Sequence, residues 1–279
     1  MITRRGGTSA KALITTDKKT LIDRVTALYG NIKTFNATVD LVPALGSADK
    51  GEITEYKDVR AYILFRQPTS LRMIGLFPVV RNKAFDMVSD GVRFLVHLPS
   101  KNRLIEGAND YNEPSPRKIE NLRPQHFLES LLVAPVEPGA ITFIEDATDE
   151  VVADYILHIV KNSPQGEPYL ARNIWFDRQT LRIVRQKLFD TRGRLLTDAR
   201  YDKWQSFDGV PFPKHIEINR PRDEYAVVLD LVKMEINRPM KDEQFVLERP
   251  AGVQVQVLGA KPESRAFTNS GIESGEAKR

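Results

Sequence analysis

Strict alternation over Val59–Gly107 restricts this chain more than any other feature. Val59, Ala61, Ile63 and Phe65 alternate with Arg60, Tyr62, Leu64 and Arg66, the period of two that gives a strand two different faces. Leu71, Met73 and Gly75 then alternate with Arg72, Ile74 and Leu76, and Val92, Phe94, Val96 and Leu98 form a further apolar face. Turn residues separate the runs. Pro68 sits in Gln67–Ser70, Asp90-Gly91 fits a type I′ hairpin that wants positive φ at both centres, and Pro99–Asn102 turns into Arg103–Gly107. The pattern predicts a five-stranded antiparallel meander with one apolar side.

One connection in this meander breaks the rule that loops are polar. Gly75–Val80 reads GLFPVV. Two readings fit it. Leu76, Phe77, Val79 and Val80 either continue into the core around a bend, or form an exposed wedge that touches lipid or a lipidated partner.

The flanking sequence supplies two helices and more strands. Asp17 is a suitable N-cap for a helix over Lys18–Lys33, with Leu21, Ile22, Val25, Leu28, Tyr29 and Ile32 on one face. Phe35–Leu41 alternates as a strand, and Pro43–Lys50 reads as a loop. Asn109–Asp149, rich in proline and charge, reads as an excursion holding one short helix over Pro124–Val133 with Leu128, Leu131 and Leu132 inward. From Val151 the chain returns to regularly spaced strands, with turns at Asp177–Thr180, Asp190–Gly193 and Asp208-Gly209, and Phe245–Leu258 offers one more. Two helices cannot cover both faces of so wide a sheet, and wide sheets curl. The predicted architecture is mainly β: a strongly curved antiparallel sheet with the helices on its concave face. Residues 1–14 read as a flexible leader, 15–260 as a single domain and 261–279 as a disordered tail.

Composition removes several function classes. The 279 residues contain no cysteine, so disulfides and thiol catalysis are absent. The 41 Lys and Arg against 37 Asp and Glu give only +4 and are spread along the chain. That balance fits an anionic surface such as a membrane and does not argue for nucleic acid. No apolar run has the length of a membrane span, and the N-terminus lacks the apolar centre of a signal peptide. The chain is then either cytosolic or lacks its leader in this sequence. His97, His126, His158 and His215 have no metal-ligand spacing, and no nucleophile, phosphate-loop or dinucleotide motif occurs. The acidic run Glu145–Glu150 lacks the glycine and spacing of a calcium loop. Catalysis can be assembled from scattered residues, so these absences weigh against an enzyme without closing that reading; the expectation is a protein that is not an enzyme and uses no cofactor or metal.

The order of elements resembles a known family. A helix running into a strand, LIDRVTALYGNIKTFNATVD, is followed by a strand ending RQP, by LRMIGLFP, by a strand ending SDG and by a strand ending PSKN. This resembles the bacterial lipoprotein-sorting family, comprising the periplasmic carrier LolA and the outer-membrane receptor LolB. The likeness spans Thr15–Pro250 in element order and rests on strand patterns and turns. The resemblance implies a half-open antiparallel barrel, its mouth covered by helices, that holds lipoprotein acyl chains in an apolar hollow. It is closer to the receptor, whose fold carries an apolar membrane-contacting loop where this chain has LRMIGLFPVV. The receptor is anchored through an N-terminal cysteine that this sequence lacks, and Asn109–Asp149 is longer than the receptor pattern.

The resulting expectation is a non-enzymatic lipid- or lipoprotein-binding protein at the periplasmic face of the outer membrane. Its partners would be acyl chains, a membrane surface and a periplasmic carrier protein. Val59, Ala61, Ile63, Phe65, Leu71, Met73, Phe85, Met87, Phe94, Val96 and Leu98 would line the hollow. Leu128, Leu131 and Leu132 would form its lid, and Leu76, Phe77, Val79 and Val80 the membrane-contact tip. The alternatives are a structural module of the cell envelope with a filled interior, and a hydrolase or isomerase with polar groups converging in the cavity.

Overall fold

The computed structural model describes residues 12–47, 52–55, 58–111, 113–115 and 117–259. The leader reading falls mostly, and the disordered-tail reading wholly, outside these residues. Among them the chain forms a single sheet of fifteen strands and two α-helices.

The first helix, α1 (Lys18–Gly30), starts where Asp17 accepts a hydrogen bond from the Thr20 amide, and buries Leu21 and Val25. It stops three residues short of the predicted Lys33, at Gly30 and Asn31. β1 (Thr34–Ser47) follows, and β2 (Glu52–Glu55) pairs back on its end. The meander is β3 (Val59–Arg66), β4 (Ser70–Leu76), β5 (Lys83–Ser89), β6 (Arg93–Leu98) and β7 (Arg103–Ala108). α2 (Pro124–Leu131) has Pro124 in its first turn. The second half is β8 (Ile141–Thr148), β9 (Ala153–Asn162), β10 (Pro168–Asp177), β11 (Ile183–Phe189), β12 (Leu195–Phe207), β13 (Val210–Arg220) and β14 (Tyr225–Ile236), and β15 (Gln254–Val257) comes last.

The strand order is β15-β7-β6-β5-β4-β3-β1-β14-β13-β12-β11-β10-β9-β8, with β2 beside β1. β1 joins the two halves by pairing with β3 and β14. The sheet is not closed into a barrel: β15 and β8 stand at opposite ends. Registers Ala37↔Ile63, Phe35↔Phe65 and Ile63↔Met73 put the predicted apolar residues on one face, where they form one core with Leu229 and Ile216. Phe35 stacks on Phe65 with ring centroids 5.2 Å apart. Arg60, Arg66 and Arg93 lie on the other face; Arg60 pairs with Asp40 and Arg66 with Asp242.

Four local readings need correction. Pro43–Lys50 is not all loop, because β1 runs to Ser47; Pro43 opposes Val227, and Leu45 is buried against Tyr225. Asp90-Gly91 is not a type I′ turn. Only Gly91 has positive φ, while the Asp90 carboxylate caps the amides of Val92 and Arg93. The type I′ signature appears instead at Asp208-Gly209, both with positive φ, between β12 and β13. Within the Asn109–Asp149 excursion lies β8, an edge strand whose large residues Ile141 and Phe143 face outward, which hides it from a hydrophobic-face reading. Finally, β15 pairs parallel to β7 in an otherwise antiparallel sheet. The chain reaches it across the face opposite the core, where Phe245 lies under Arg66 and the Gln244 carbonyl accepts from Arg72.

A buried polar cluster fastens α2. His126 Nδ1 lies 3.0 Å from the Tyr225 hydroxyl. Gln186 donates to the Glu129 carbonyl and the Tyr201 hydroxyl to the Ser130 carbonyl. Arg220 donates to Asp223 and Thr197. α2 lies within contact distance of β4, β5 and also β12.

Candidate functional site

The strand ends gather the site. β1, β4 and β6 end, and β3, β5, β7 and β14 begin, on one side of the sheet. There Leu41, Pro43, Leu45, Val59, Ala84, Phe85, Met87, Val96, Leu98 and Val227 enclose a cavity of about 300 Å³ with Leu122 and Phe127 from the helical segment. Phe77, Ser100 and Lys101 complete the lining. These three are exposed, whereas Leu41, Met87, Val96 and Phe127 are buried, so the mouth lies between the β4–β5 and β6–β7 connections.

Glycine is required at one wall. A Cβ on Gly75 would stand 2.2 Å from the Phe85 ring, so only glycine in β4 lets that ring lie over the strand and face the cavity.

Of the residues expected to line the hollow, Val59, Phe85, Met87, Val96 and Leu98 do so. Ala61, Ile63, Phe65, Leu71, Met73 and Phe94 share their strand faces but are buried in the packed core and do not line this cavity. Leu41, Pro43, Leu45, Ala84, Leu122, Phe127 and Val227 were not anticipated. The alternation Val39, Leu41 was visible, but Pro43 masked its continuation to Leu45.

The lid residues are placed differently from expectation. Leu128, Leu131 and Leu132 are buried, yet none lines this cavity. Leu131 and Leu132 instead border a void of about 30 Å³ with Leu28, Tyr29 and Ile32 at the end of α1 and with Trp204 and Phe212. It is Phe127 and Leu122 that line the apolar cavity on the helical side.

The tip is exposed beyond Leu76, which is half-buried at the end of β4. Phe77 is 38%, Val79 91% and Val80 63% exposed. The loop is held by backbone bonds from Phe77 to Asn82 and from Arg81 to Phe77, with Arg81 at φ +53°. The reading in which Phe77, Val79 and Val80 continue into the core is therefore set aside. Phe77 belongs to both features, since its ring also lines the cavity mouth.

Chemically the cavity wall is almost inert. Its polar lining consists of Ser100 and Lys101, with no carboxylate or imidazole. The titratable groups with displaced pKa values lie elsewhere. Burial, reinforced by Arg220 and Arg123, holds His126 well below the usual imidazole range, and burial raises Tyr201, Tyr225 and Glu129. All belong to the cluster that fastens α2. His158 is hydrogen-bonded to Asn173 and Glu145 and stacked on Phe143. In the acidic run, Asp146 accepts from Arg178 and Thr148, and Asp149 from two backbone amides. Among the described residues no group of three or more His, Asp or Glu converges on a metal position.

A family model described as an uncharacterized protein matches residues 138–249. No curated protein matches the chain. Three solved structures align with most of it. A LolA superfamily protein from Nitrosomonas europaea superposes with TM-score 0.56 at 15% identity, covering 84% of this chain and 99% of its own. A DUF1329 family protein from Desulfovibrio piger gives 0.54 at 15% identity, covering 83% and 98%. A Vibrio parahaemolyticus domain described as an outer membrane lipoprotein-sorting protein gives 0.52 at 12% identity, covering 81% and 94%. At these identities the likeness is one of fold alone.

Proposed function

We propose that this is a non-enzymatic lipid- or lipoprotein-binding protein of the bacterial periplasm. It holds acyl chain in the cavity and meets the outer membrane through the Phe77–Val80 tip. The observation that carries this reading is an apolar cavity of about 300 Å³ whose mouth is bordered by the exposed apolar tip. A void of this size is at the small end for ligand pockets. If a methylene fills about the ~30 Å³ of a water molecule, it accommodates on the order of ten methylenes. At about 0.8 kcal/mol each, their burial is worth roughly 8 kcal/mol, enough for micromolar retention before ordering costs.

The helices act as a cover on the concave side. β4 and β12 are separated by β3, β1, β14 and β13. Five strand spacings would set them about 24 Å apart in a flat sheet, twice the ~12 Å length of an eight-residue helix. Contact of α2 with both supports a sheet bent around it. Phe127 and Leu122 are then the part of the cover that a bound chain would touch.

Lipoprotein sorting is attributed to the Vibrio parahaemolyticus domain of the same fold, and the tip favours a receptor-like over a carrier-like role. The filled-module alternative is disfavoured by the cavity, and the hydrolase alternative by its inert wall. Mass spectrometry of lipid retained after gentle purification tests the proposal. Acyl-chain species in near-stoichiometric amount are expected, and a lipid-free protein that also fails to take up added fatty acid would overturn it.

A further inference from the structure

We infer that the cavity takes a single-chain amphiphile with an anionic head, and that the head is held at the mouth by Lys101. The inference rests on the acyl-binding reading above and specifies the ligand class. Three observations carry it. The volume accommodates one chain of about ten methylenes. Inside, the wall offers no polar partner, and a head group drawn inward would lose its hydration without compensation, so it must stay at the rim. At the rim the charge is positive and uncompensated. Lys101 is the single charged residue of the lining, with the Ser100 hydroxyl beside it, and its ammonium has no ion-pair or hydrogen-bond partner among the described residues. By contrast, Arg72, Lys83 and Arg103 of the same meander are each paired with a carboxylate. Arg81, on the tip at the same end of the sheet, also has a guanidinium without a partner among the described residues, which adds to the positive field. An ammonium at the mouth of an apolar cavity attracts a carboxylate or phosphate head, leaves an alcohol unaffected and repels a quaternary amine.

The test uses the full chain at pH 8 and displacement of the neutral fluorophore N-phenyl-1-naphthylamine. Decanoate, decanol and decyltrimethylammonium share a chain and differ in charge. Decanoate is expected to displace the fluorophore at about fivefold lower concentration than decanol, the upper end for an exposed ion pair, with decyltrimethylammonium weakest. The preference should shrink in 0.5 M salt, to which exposed charges are sensitive. K101Q should bring decanoate level with decanol, and K101E should reverse the order. Decanoyl lysophosphatidate identifies the head: if it is also favoured over decanol and loses that advantage in K101Q, phosphate is accepted; if only decanoate behaves so, the head is a carboxylate. Equal displacement by decanoate and decanol in the unmodified protein, or an unchanged decanoate preference in K101Q, overturns the head-group inference and leaves the acyl cavity standing. Failure of the fluorophore and all three decyl compounds to bind overturns both.

Discussion

Replacing Val79 by glutamate separates membrane contact from folding more cleanly than any other substitution in the tip. Phe77 is the obvious target, but its ring also lines the cavity mouth and is more than half covered. Phe77→Glu would therefore disturb packing and ligand binding together. Val79 is 91% exposed. Full burial of a valine is worth about 1.5–3 kcal/mol, so the tenth that is covered contributes roughly 0.2 kcal/mol to stability. For a domain of this size 1 kcal/mol corresponds to about 2–4 °C, so V79E should move the thermal midpoint by less than about 1 °C. On a membrane the same side chain would regain most of its transfer free energy, about 1.5 kcal/mol. Its loss, with repulsion between the new carboxylate and acidic headgroups, should weaken association at least about tenfold. Co-sedimentation with vesicles containing phosphatidylglycerol measures the first effect, and calorimetry the second. Vesicle affinity unchanged in V79E would refute the membrane-contact role. A midpoint lowered by several degrees would show instead that the loop packs against the protein.

Further outcomes follow from other parts of the structure. Ala84→Phe places a ring in the cavity; displacement assays should show at least about tenfold weaker binding of decanoate, with little change in midpoint because the space is empty. Burial holds the His126 pKa in the folded state below its unfolded value. The unfolded chain therefore binds the proton more readily, and stability is full above about pH 6.5 and falls as pH drops below it. Urea midpoints at pH 5.5 and 7.5 should differ, and His126→Gln should reduce the difference; His215, raised by Asp230 and Glu217, acts in the opposite sense and is more exposed. Asp86, fully buried between Arg72 and Lys83, should cost about 3 kcal/mol when replaced by alanine, since both cations lose their partner; a loss below about 1 kcal/mol by urea denaturation would count against the pairing as drawn.

Local pattern made the meander legible. Strands β3 to β7 follow from period-two alternation and turn residues, because pleating and turn chemistry act over two to four neighbours. The helix positions followed from caps and the 3.6-residue repeat in the same way. The exposed tip was legible as an apolar run in a loop, though exposure itself had to be read from the fold. Tertiary structure alone decided which apolar residues enclose space and which fill it. Met73 and Met87 lie directly opposite each other on neighbouring strands, yet Met73 is core and Met87 borders the cavity. The difference is set by what lies across the bend of the sheet, a matter of contacts between residues far apart in the chain. The same holds for Phe127, whose neighbours Leu128 and Leu131 have the same chemistry but face other surroundings, and for Val227, brought to the cavity only by the pairing of β14 with β1. Alternation determines on which face a side chain stands; the curvature of the sheet and the placement of α2 determine whether anything stands opposite it.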